Sequence, residues 1–154
     1  MIRVLFVCLG NICRSPMAEA VFQHKVNLAG LADQIEIDSA GTGGWHSGAA
    51  PHVGTRTILA EKGIDCSTLR ARQIERGDLD DFDYILTMDD SNLASVRALG
   101  SGRATIRPLL EYAPEAGINE VPDPFYTGGF PGVYALIDQA TDGLLTAIRR
   151  ENGL

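Results

Sequence analysis

The chain has 154 residues, 45% of them hydrophobic, and no linker, repeat or low-complexity stretch divides it. This is the size and composition of a single domain with a buried core, so we expect one domain over residues 1–154. Thirteen basic and twenty acidic residues give a net charge of -7, which argues against nucleic acid or an anionic membrane surface as a partner.

Segments with the patterns of strands and helices alternate along the chain. Short apolar or alternating runs predict four strands, at residues 2–7, 35–39, 84–88 and 105–110, the last interrupted by Pro108. Apolar residues at helical spacing predict four helices, at 16–29, 51–62, from the caps at 89–91 through 99, and 132–150. This alternation predicts an α/β fold, a doubly wound four-stranded parallel sheet flanked by helices.

The ligand site of such a fold lies beyond the carboxyl ends of its strands. Cys8, Ser39 and Met88 each end a predicted strand, so they should meet at that edge. We therefore expect the functional site there, with a phosphate-binding loop after the first strand.

Cysteine content and the amino terminus bear on location and cofactors. Three cysteines cannot build a disulfide framework, and neither they nor the three histidines show the spacing of a zinc site. The apolar opening is too short for a signal peptide, and no run approaches the roughly 18 apolar residues of a membrane span. We expect a cytoplasmic protein without a metal or cofactor.

The segment Cys8–Ser15 is the most informative part of the chain. It follows a buried strand and leads into a helix at Pro16, which leaves a thiol facing a helix amino terminus, where anions bind and thiols ionise. We expect Cys8 to be a thiolate at neutral pH and to act as a nucleophile. The alternative is that Cys8 is only a small buried residue.

The residues between Cys8 and Arg14 can form an anion-binding cup. Five residues suffice to curl the backbone so that its N–H groups point inward, because Gly10 and Asn11 tolerate positive φ angles. Arg14 adds a planar fork for two phosphate oxygens, and Ser15 is suited to cap the helix or to donate its hydroxyl to the Cys8 sulfur. The predicted phosphate-binding residues are Leu9, Gly10, Asn11, Ile12, Cys13, Arg14 and Ser15.

Asp123 lies between two prolines near the carboxyl end of the chain. It could be only a turn residue, since Asp-Pro pairs often start turns. A thiolate that attacks a phosphate monoester also needs an acid to protonate the departing oxygen, and flanking prolines hold a loop carboxyl stiffly. We therefore predict Asp123 as the general acid.

Aromatic residues on two loops are suited to hold an aryl group above the cup. Trp45 is in a glycine-rich loop, and Phe125 and Tyr126 follow Asp123 directly; ordinary loop packing is the alternative. His24, His46 and His52 are read as ordinary polar residues. The predicted substrate pocket consists of Leu9, Ile12, Trp45, Phe125 and Tyr126.

The motif CLGNICRSPMAEA resembles the signature of the low-molecular-weight protein tyrosine phosphatases, at the same place in the chain. The likeness continues through 39–42 with Trp45, through 70–73, and through 121–126, so it spans nearly the whole chain. It implies a metal-independent protein-tyrosine phosphatase that acts through a cysteinyl-phosphate. Its partner would be a phosphotyrosine-containing protein, with a tyrosine kinase as one candidate.

The resemblance also implies roles for individual residues. Asp123 matches the family's general acid, and Asn11 matches a residue that braces the loop together with Ser39. Many relatives have a histidine where this chain has Leu69 and a tyrosine where it has Phe125.

Three other functions remain open at this point. A protein arginine phosphatase of the same family usually has threonine at the position of Ile12, whose bulk should favour an aryl group. An arsenate reductase needs two further cysteines in the middle of the chain, where only Cys66 is present. A catalytically silent phosphoprotein-binding module would not need the intact set of Cys8, Arg14 and Asp123.

Cys13 has two interpretations of equal weight. It is near enough to Cys8 in sequence to capture an oxidised Cys8 as a disulfide, which would make the site redox-sensitive and reversible. It could equally be a small residue packed beneath the cup.

Overall fold

The computed structural model describes residues 1–154 and shows strands alternating with helices. The strands are β1 (Ile2–Cys8), β2 (Ile35–Gly41), β3 (Tyr84–Thr87) and β4 (Thr105–Pro108). The α-helices are α1 (Arg14–Leu28), α2 (Val53–Glu61), α3 (Asp78–Asp81), α4 (Asp90–Ala98), α5 (Pro124–Thr127) and α6 (Phe130–Asn152). Two 3-10 helices, Leu109–Tyr112 and Pro114–Ala116, follow β4.

The sheet has four parallel strands in the order β2-β1-β3-β4, which confirms the predicted doubly wound fold. From β1 the chain moves to one side to form β2 and then returns to the other side to form β3. The strand order therefore reverses beside β1, and in open α/β sheets such a reversal opens a crevice at the carboxyl ends of the strands. The last residue of β1 is Cys8, so the crevice opens at that thiol.

Side chains on both faces of β1 are fully buried. Val4 and Phe6 join a core cluster of 26 buried residues that includes the apolar faces of α1 and α6. Leu5 and Val7 join a second cluster with Val96 of α4 on the opposite face. A strand segment covered on both faces must be apolar, which explains the uninterrupted hydrophobic run from residue 4 to residue 7 before Cys8.

The predicted elements are confirmed, with differences at their ends. β4 stops at Pro108, because proline has no N–H to continue the ladder, and the chain turns into a 3-10 helix instead of extending to residue 110. The helices α3 and α5 were not predicted, because four residues are too few to show a helical period. No helix of the chain is both long enough and apolar enough to cross a membrane.

Candidate active site

A pocket of about 420 Å³ opens at the carboxyl end of β1. Its floor is the loop Cys8–Arg14, and Asp123 lines one side. We call the four aromatic side chains around the opening the rim, which consists of Trp45, His46, Phe125 and Tyr126. The structure thus brings together residues that are more than a hundred positions apart in the sequence.

The floor loop makes its sharp turn at Asn11, whose φ of 57° is the only positive φ at a non-glycine residue. Asparagine tolerates this conformation better than most residues. The prediction of a positive φ at Gly10 is wrong, since Gly10 is absent from the positive-φ glycines. Gly10 matters for close packing instead, because a Cβ there would lie 3.0 Å from Cδ2 of His46.

Ser15 is not the N-cap of α1, contrary to one of its two predicted roles. The helix begins at Arg14, and no side chain caps its first turn, which leaves N–H groups available to an anion. The Ser15 hydroxyl lies 3.0 Å from the Cys8 sulfur in a buried contact, as the other predicted role required. Ser15 is completely buried and Cys8 nearly so.

Arg14 is only 2% exposed, and its guanidinium is held from one side. Its Nη1 donates to Oδ2 of Asp89 at 2.7 Å and to the carbonyl of Val121 at 2.9 Å. Its Nε is buried without any hydrogen-bond partner. A buried N–H left unpaired costs stability, so this group is available to an anion in the pocket that Arg14 lines.

Sequence reasoning missed Asp89 as a site residue and recognised it only as a helix cap. It does cap α4, accepting a hydrogen bond from the N–H of Asn92 with Oδ1 at 2.8 Å, while Oδ2 binds Arg14. The signal that could have found it is position. Asp89 directly follows Met88, one of the three residues predicted to meet at the carboxyl edge of the sheet.

Asp123 caps a short helix and also lies beside Arg14, while its predicted role as general acid stays a prediction. Its Oδ1 accepts a hydrogen bond from the N–H of Phe125 at 3.0 Å and so caps α5, the short helix after Pro124. Its Oδ2 lies 3.5 Å from Nη2 of Arg14. One carboxylate oxygen is therefore fixed by the backbone while the other faces the floor.

The rim is far more exposed than the floor. Trp45 is 72% exposed and Tyr126 is 83% exposed. The Trp45 ring lies over Gly43, where a Cβ would overlap it at 1.8 Å, so only glycine allows this ring position. Phe125 packs edge-on against Tyr126 with ring centroids 4.8 Å apart, and Leu9 and Ile12 of the predicted pocket also line the opening.

The sequence predicts no functional role for the histidines, but two of them lie near the opening of the pocket. The His46 ring lies on the rim, with its centroid 6.1 Å from that of Phe125. His52 accepts a hydrogen bond from the N–H of Gly54 and caps α2, and its ring stacks on Phe130 at 5.2 Å.

The floor loop is braced from beneath by hydrogen bonds of Asn11. Its Nδ2 donates to Ser15 Oγ at 2.8 Å and to Ser39 Oγ at 2.9 Å, and its Oδ1 accepts from the N–H of Arg72. Ser39 in turn donates to Glu19. Asn11 and Ser39, which the resemblance implies as the brace of the loop, therefore lie in one connected network that also includes Ser15.

Cys13 is buried beneath the loop with Ile12 and Ala71. Burial, together with the nearby Cys8, raises the pKa of the Cys13 thiol to about 12, so it is a neutral thiol at physiological pH. Its capture of an oxidised Cys8 stays a prediction. No three His, Cys, Asp or Glu residues come together as a set that could hold a metal ion.

Comparisons with known proteins agree with this geometry. The family model described as low molecular weight phosphotyrosine protein phosphatase matches residues 3–153. The low molecular weight protein-tyrosine-phosphatase YfkJ of Bacillus subtilis is 49% identical over an alignment of 156 residues, gaps included. The alignment covers 100% of each chain. The crystal structure of YfkJ from Bacillus subtilis aligns with a TM-score of 0.96, covering 99% of this chain and 97% of that chain.

A more distant structure broadens the comparison. The crystal structure of a Drosophila arginine phosphatase aligns with a TM-score of 0.89 at 33% identity, and the alignment covers 95% of this chain and 97% of that chain. Proteins named as tyrosine phosphatase and as arginine phosphatase therefore share this fold. The full-length family match and the 49% identity show that this chain belongs to the low molecular weight phosphotyrosine protein phosphatases.

Proposed function

We propose that this protein hydrolyses phosphotyrosine in two steps through a phosphate ester of the Cys8 sulfur, without a metal ion. The observation that carries the proposal is the arrangement around one pocket. A sulfur lies on the floor beside a buried guanidinium with an unpaired Nε, and a carboxyl faces the floor from the side. These groups supply a nucleophile, an anion site and an acid.

In the first step the Cys8 thiolate attacks phosphorus in line with the ester oxygen. The S–P bond forms as the P–O bond to the tyrosine ring breaks. Asp123, protonated at this stage, gives its proton to the departing phenol oxygen. Its carboxyl can do so because one oxygen is held by the N–H of Phe125 and the other faces the floor.

In the second step Asp123, now a carboxylate, takes a proton from water as the water oxygen attacks phosphorus. The S–P bond breaks, inorganic phosphate leaves and Cys8 returns as a thiolate. The Ser15 hydroxyl, 3.0 Å from the sulfur, stabilises the thiolate both as nucleophile and as leaving group.

The equatorial oxygens of the transferring group are held by Arg14 and by the N–H groups of the loop Leu9–Ser15. Asp89 and the carbonyl of Val121 occupy Nη1, so Nε and Nη2 of Arg14 are the edge presented to phosphate. This fork and the helix dipole supply the positive charge that a metal ion supplies in other phosphatases.

Selection of phosphotyrosine is supported by the shape of the pocket. Ile12 lines it with an apolar side chain, and the aromatic rings of the rim can pack on both sides of a phenyl ring. We propose phosphotyrosine-containing proteins as substrates, with a tyrosine kinase as one candidate, in the cytoplasm, where thiols such as Cys8 stay reduced.

Arginine phosphatase is the second candidate, because a Drosophila arginine phosphatase shares the fold with a TM-score of 0.89. Ile12 distinguishes the two candidates, since its bulk favours a flat ring. Arsenate reduction is a poorer candidate because Cys66 is the only cysteine outside the floor loop. A silent binding module has no need for the acid Asp123.

The decisive test is turnover of p-nitrophenyl phosphate in the presence of EDTA. We expect Cys8→Ser to lower kcat on the order of 10⁴-fold or more, and Asp123→Asn to lower it by roughly a hundredfold or more. Thermal melts should show that both variants are folded. A requirement for metal, or turnover that survives Cys8→Ser, would refute the mechanism.

Substrate class is tested by matched peptides carrying phosphotyrosine, phosphoserine or phosphoarginine. We expect the highest kcat/KM for phosphotyrosine, and Ile12→Thr should lower the preference for phosphotyrosine over phosphoarginine by roughly tenfold, on the scale of a methyl group or two in a pocket. A wild-type preference for phosphoarginine would assign the second function instead.

A further inference from the structure

Glu19 is a half-buried acidic residue of α1 that the mechanism above does not use. Its Oε1 accepts a hydrogen bond from the Ser39 hydroxyl at 2.6 Å. Ser39 Oγ accepts in turn from Asn11, whose other N–H goes to Ser15, and the Ser15 hydroxyl lies 3.0 Å from the Cys8 sulfur. A continuous chain of hydrogen bonds therefore connects Glu19 to the nucleophile.

The direction of each bond in this chain follows from the chemistry of its end groups. A carboxylate only accepts, so the single hydroxyl hydrogen of Ser39 points to Glu19 and its lone pair faces Asn11. The Asn11 amide cannot turn over, because its Oδ1 accepts from the N–H of Arg72 at 2.9 Å.

Both amino hydrogens of Asn11 are therefore committed, one to each serine. Ser15 accepts one of them, and its own hydrogen is left to point at the Cys8 sulfur. The only other acceptor near this hydroxyl is the carbonyl of Ala40, at 3.5 Å. A hydroxyl that donates to a carboxylate is a better acceptor, so an ionised Glu19 strengthens the hold on Asn11.

The charges around Glu19 leave it without a cationic partner. Arg72 is committed to Asp38 and Asp78, with nitrogen-to-oxygen distances of 3.0 Å in both salt bridges. Glu19 lines a cavity of about 370 Å³ together with His24 of α1 and Asp65, which follows α2. Neither His24 nor Asp65 is hydrogen-bonded to Glu19.

Position 69 contributes to this isolation. Leu69 lines that cavity together with Glu19. Position 69 therefore presents an apolar side chain to the cavity, where a basic side chain could have paired with the Glu19 carboxylate. Burial, and next the charge of Asp38, raise the pKa of Glu19 to about 7, although the bond from Ser39 and the charge of Arg72 oppose the change. The carboxyl therefore changes its charge in the neutral range.

We propose that Glu19 is a positioning residue whose carboxylate, acting through Ser39 and Asn11, directs the Ser15 hydroxyl at the Cys8 sulfur, so that turnover increases as Glu19 ionises. This inference rests on the proposed function and adds a pH-responsive element beneath the floor. Glu19 itself does not touch substrate or the reacting atoms.

The test compares kcat for p-nitrophenyl phosphate in wild type and Glu19→Gln from about pH 5 to about pH 8. Glutamine resembles the protonated acid, so the ratio of the two kcat values should be near one at low pH and rise to roughly fivefold above pH 7, the difference between a charged and a neutral hydrogen bond. KM should be unchanged. Glu61→Gln, an exposed carboxyl on α2, should give a flat ratio near one.

Alkylation of Cys8 by iodoacetamide, followed by mass spectrometry, gives a readout that does not depend on turnover. Its rate against pH should show a step near pH 7 in wild type that Glu19→Gln lacks. A kcat ratio that does not change with pH, whether one or reduced, would show that Glu19 is only structural. Absence of wild-type turnover would contradict the proposed function, and alkylation would still test Glu19.

A second variant covers the case in which Glu19→Gln does not fold. Leu69→His places a basic imidazole in the cavity beside Glu19. In this variant the pH midpoint of the step in kcat should lie about one unit lower than in wild type. An unmoved midpoint would overturn the proposal.

Discussion

The floor and the rim of the pocket are built in opposite ways. On the floor, Arg14 is 2% exposed and Ser15 completely buried, and both polar side-chain atoms of Asn11 are hydrogen-bonded. On the rim, Trp45 and Tyr126 are more than two-thirds exposed, and Tyr126 packs against the ring of Phe125. The floor is fixed by the core and the rim is not, so chemistry and selectivity depend on different kinds of contact.

The difference suggests how the two regions respond to change. A buried charged network loses function when any member is altered, because its partners are left unpaired. An exposed aromatic wall loses only contact area. Floor variants should therefore affect kcat strongly, and rim variants should affect KM modestly.

Among the floor residues other than Cys8, the largest effect is expected at Arg14. Arg14→Lys keeps the charge but loses the fork, and it leaves Asp89 and the carbonyl of Val121 without their planar partner. We expect kcat/KM for p-nitrophenyl phosphate to fall by roughly a thousandfold. Arg70→Lys, an exposed arginine near the same loop, is the matched control and should change it less than twofold. Equal effects of the two changes would contradict the account.

The next effect is on stability and comes from the network beneath the floor. The pKa of Glu19 is raised from 4.5 to about 7, so the unfolded chain loses this proton at a lower pH than the folded chain. The free energy of unfolding is therefore highest below about pH 4. It falls by about 3 kcal/mol as pH rises through 7. Urea unfolding should show Glu19→Gln to be more stable than wild type at pH 8, and equal to it near pH 4. A difference independent of pH would contradict the assignment.

Together with the kinetic test, this prediction describes a trade of stability for activity. The same ionisation that destabilises the fold is expected to increase turnover. Such opposition is common where a site keeps a buried charge.

Asp89→Asn should have a smaller effect than Arg14→Lys. Asp89 uses one oxygen to cap α4 and the other to bind Arg14. Asparagine has a single carbonyl oxygen, so it can make only one of these two contacts, and it lacks the charge. We expect kcat to fall by roughly tenfold, the value of one charge-assisted hydrogen bond. Asp90→Asn, the next residue along α4, serves as control. No loss of kcat would show that the Asp89 contact does not hold the guanidinium.

The smallest effects are expected on the rim. Trp45→Ala and Tyr126→Ala should each raise KM for a phosphotyrosine peptide by roughly threefold to tenfold, with kcat within about twofold of wild type. Steady-state kinetics with the peptide and with inorganic phosphate as inhibitor separates the two regions, because phosphate touches only the floor. A large fall in kcat would mean that the rim takes part in chemistry.

The sequence predicted the floor better than its surroundings, for a physical reason. The placement of Cys8, Asn11 and Arg14 in one loop follows from local backbone geometry within eight residues, which a motif encodes. Asp89 and Glu19 act through contacts 75 and 20 residues away in sequence, and no local pattern identifies those partners.

The errors near the motif have the same origin. Ser15 is at a position typical of an N-cap, but its hydroxyl is oriented by Asn11 and the Cys8 sulfur, which come together only in the fold. The role of Gly10 depends on the ring of His46, from a loop more than thirty residues away. Local propensity could predict the strand, the loop and the helix, but not which side chains meet beneath them.

The central claim is that phosphate passes through the sulfur of Cys8. Wild-type protein and Asp123→Asn, mixed with excess p-nitrophenyl phosphate, quenched in acid within milliseconds and digested, are examined by mass spectrometry. The account predicts a phosphate adduct on the peptide that contains Cys8, absent from Cys8→Ser. An adduct on another residue would contradict it. A burst of p-nitrophenol release without an adduct on Cys8 would contradict it as well.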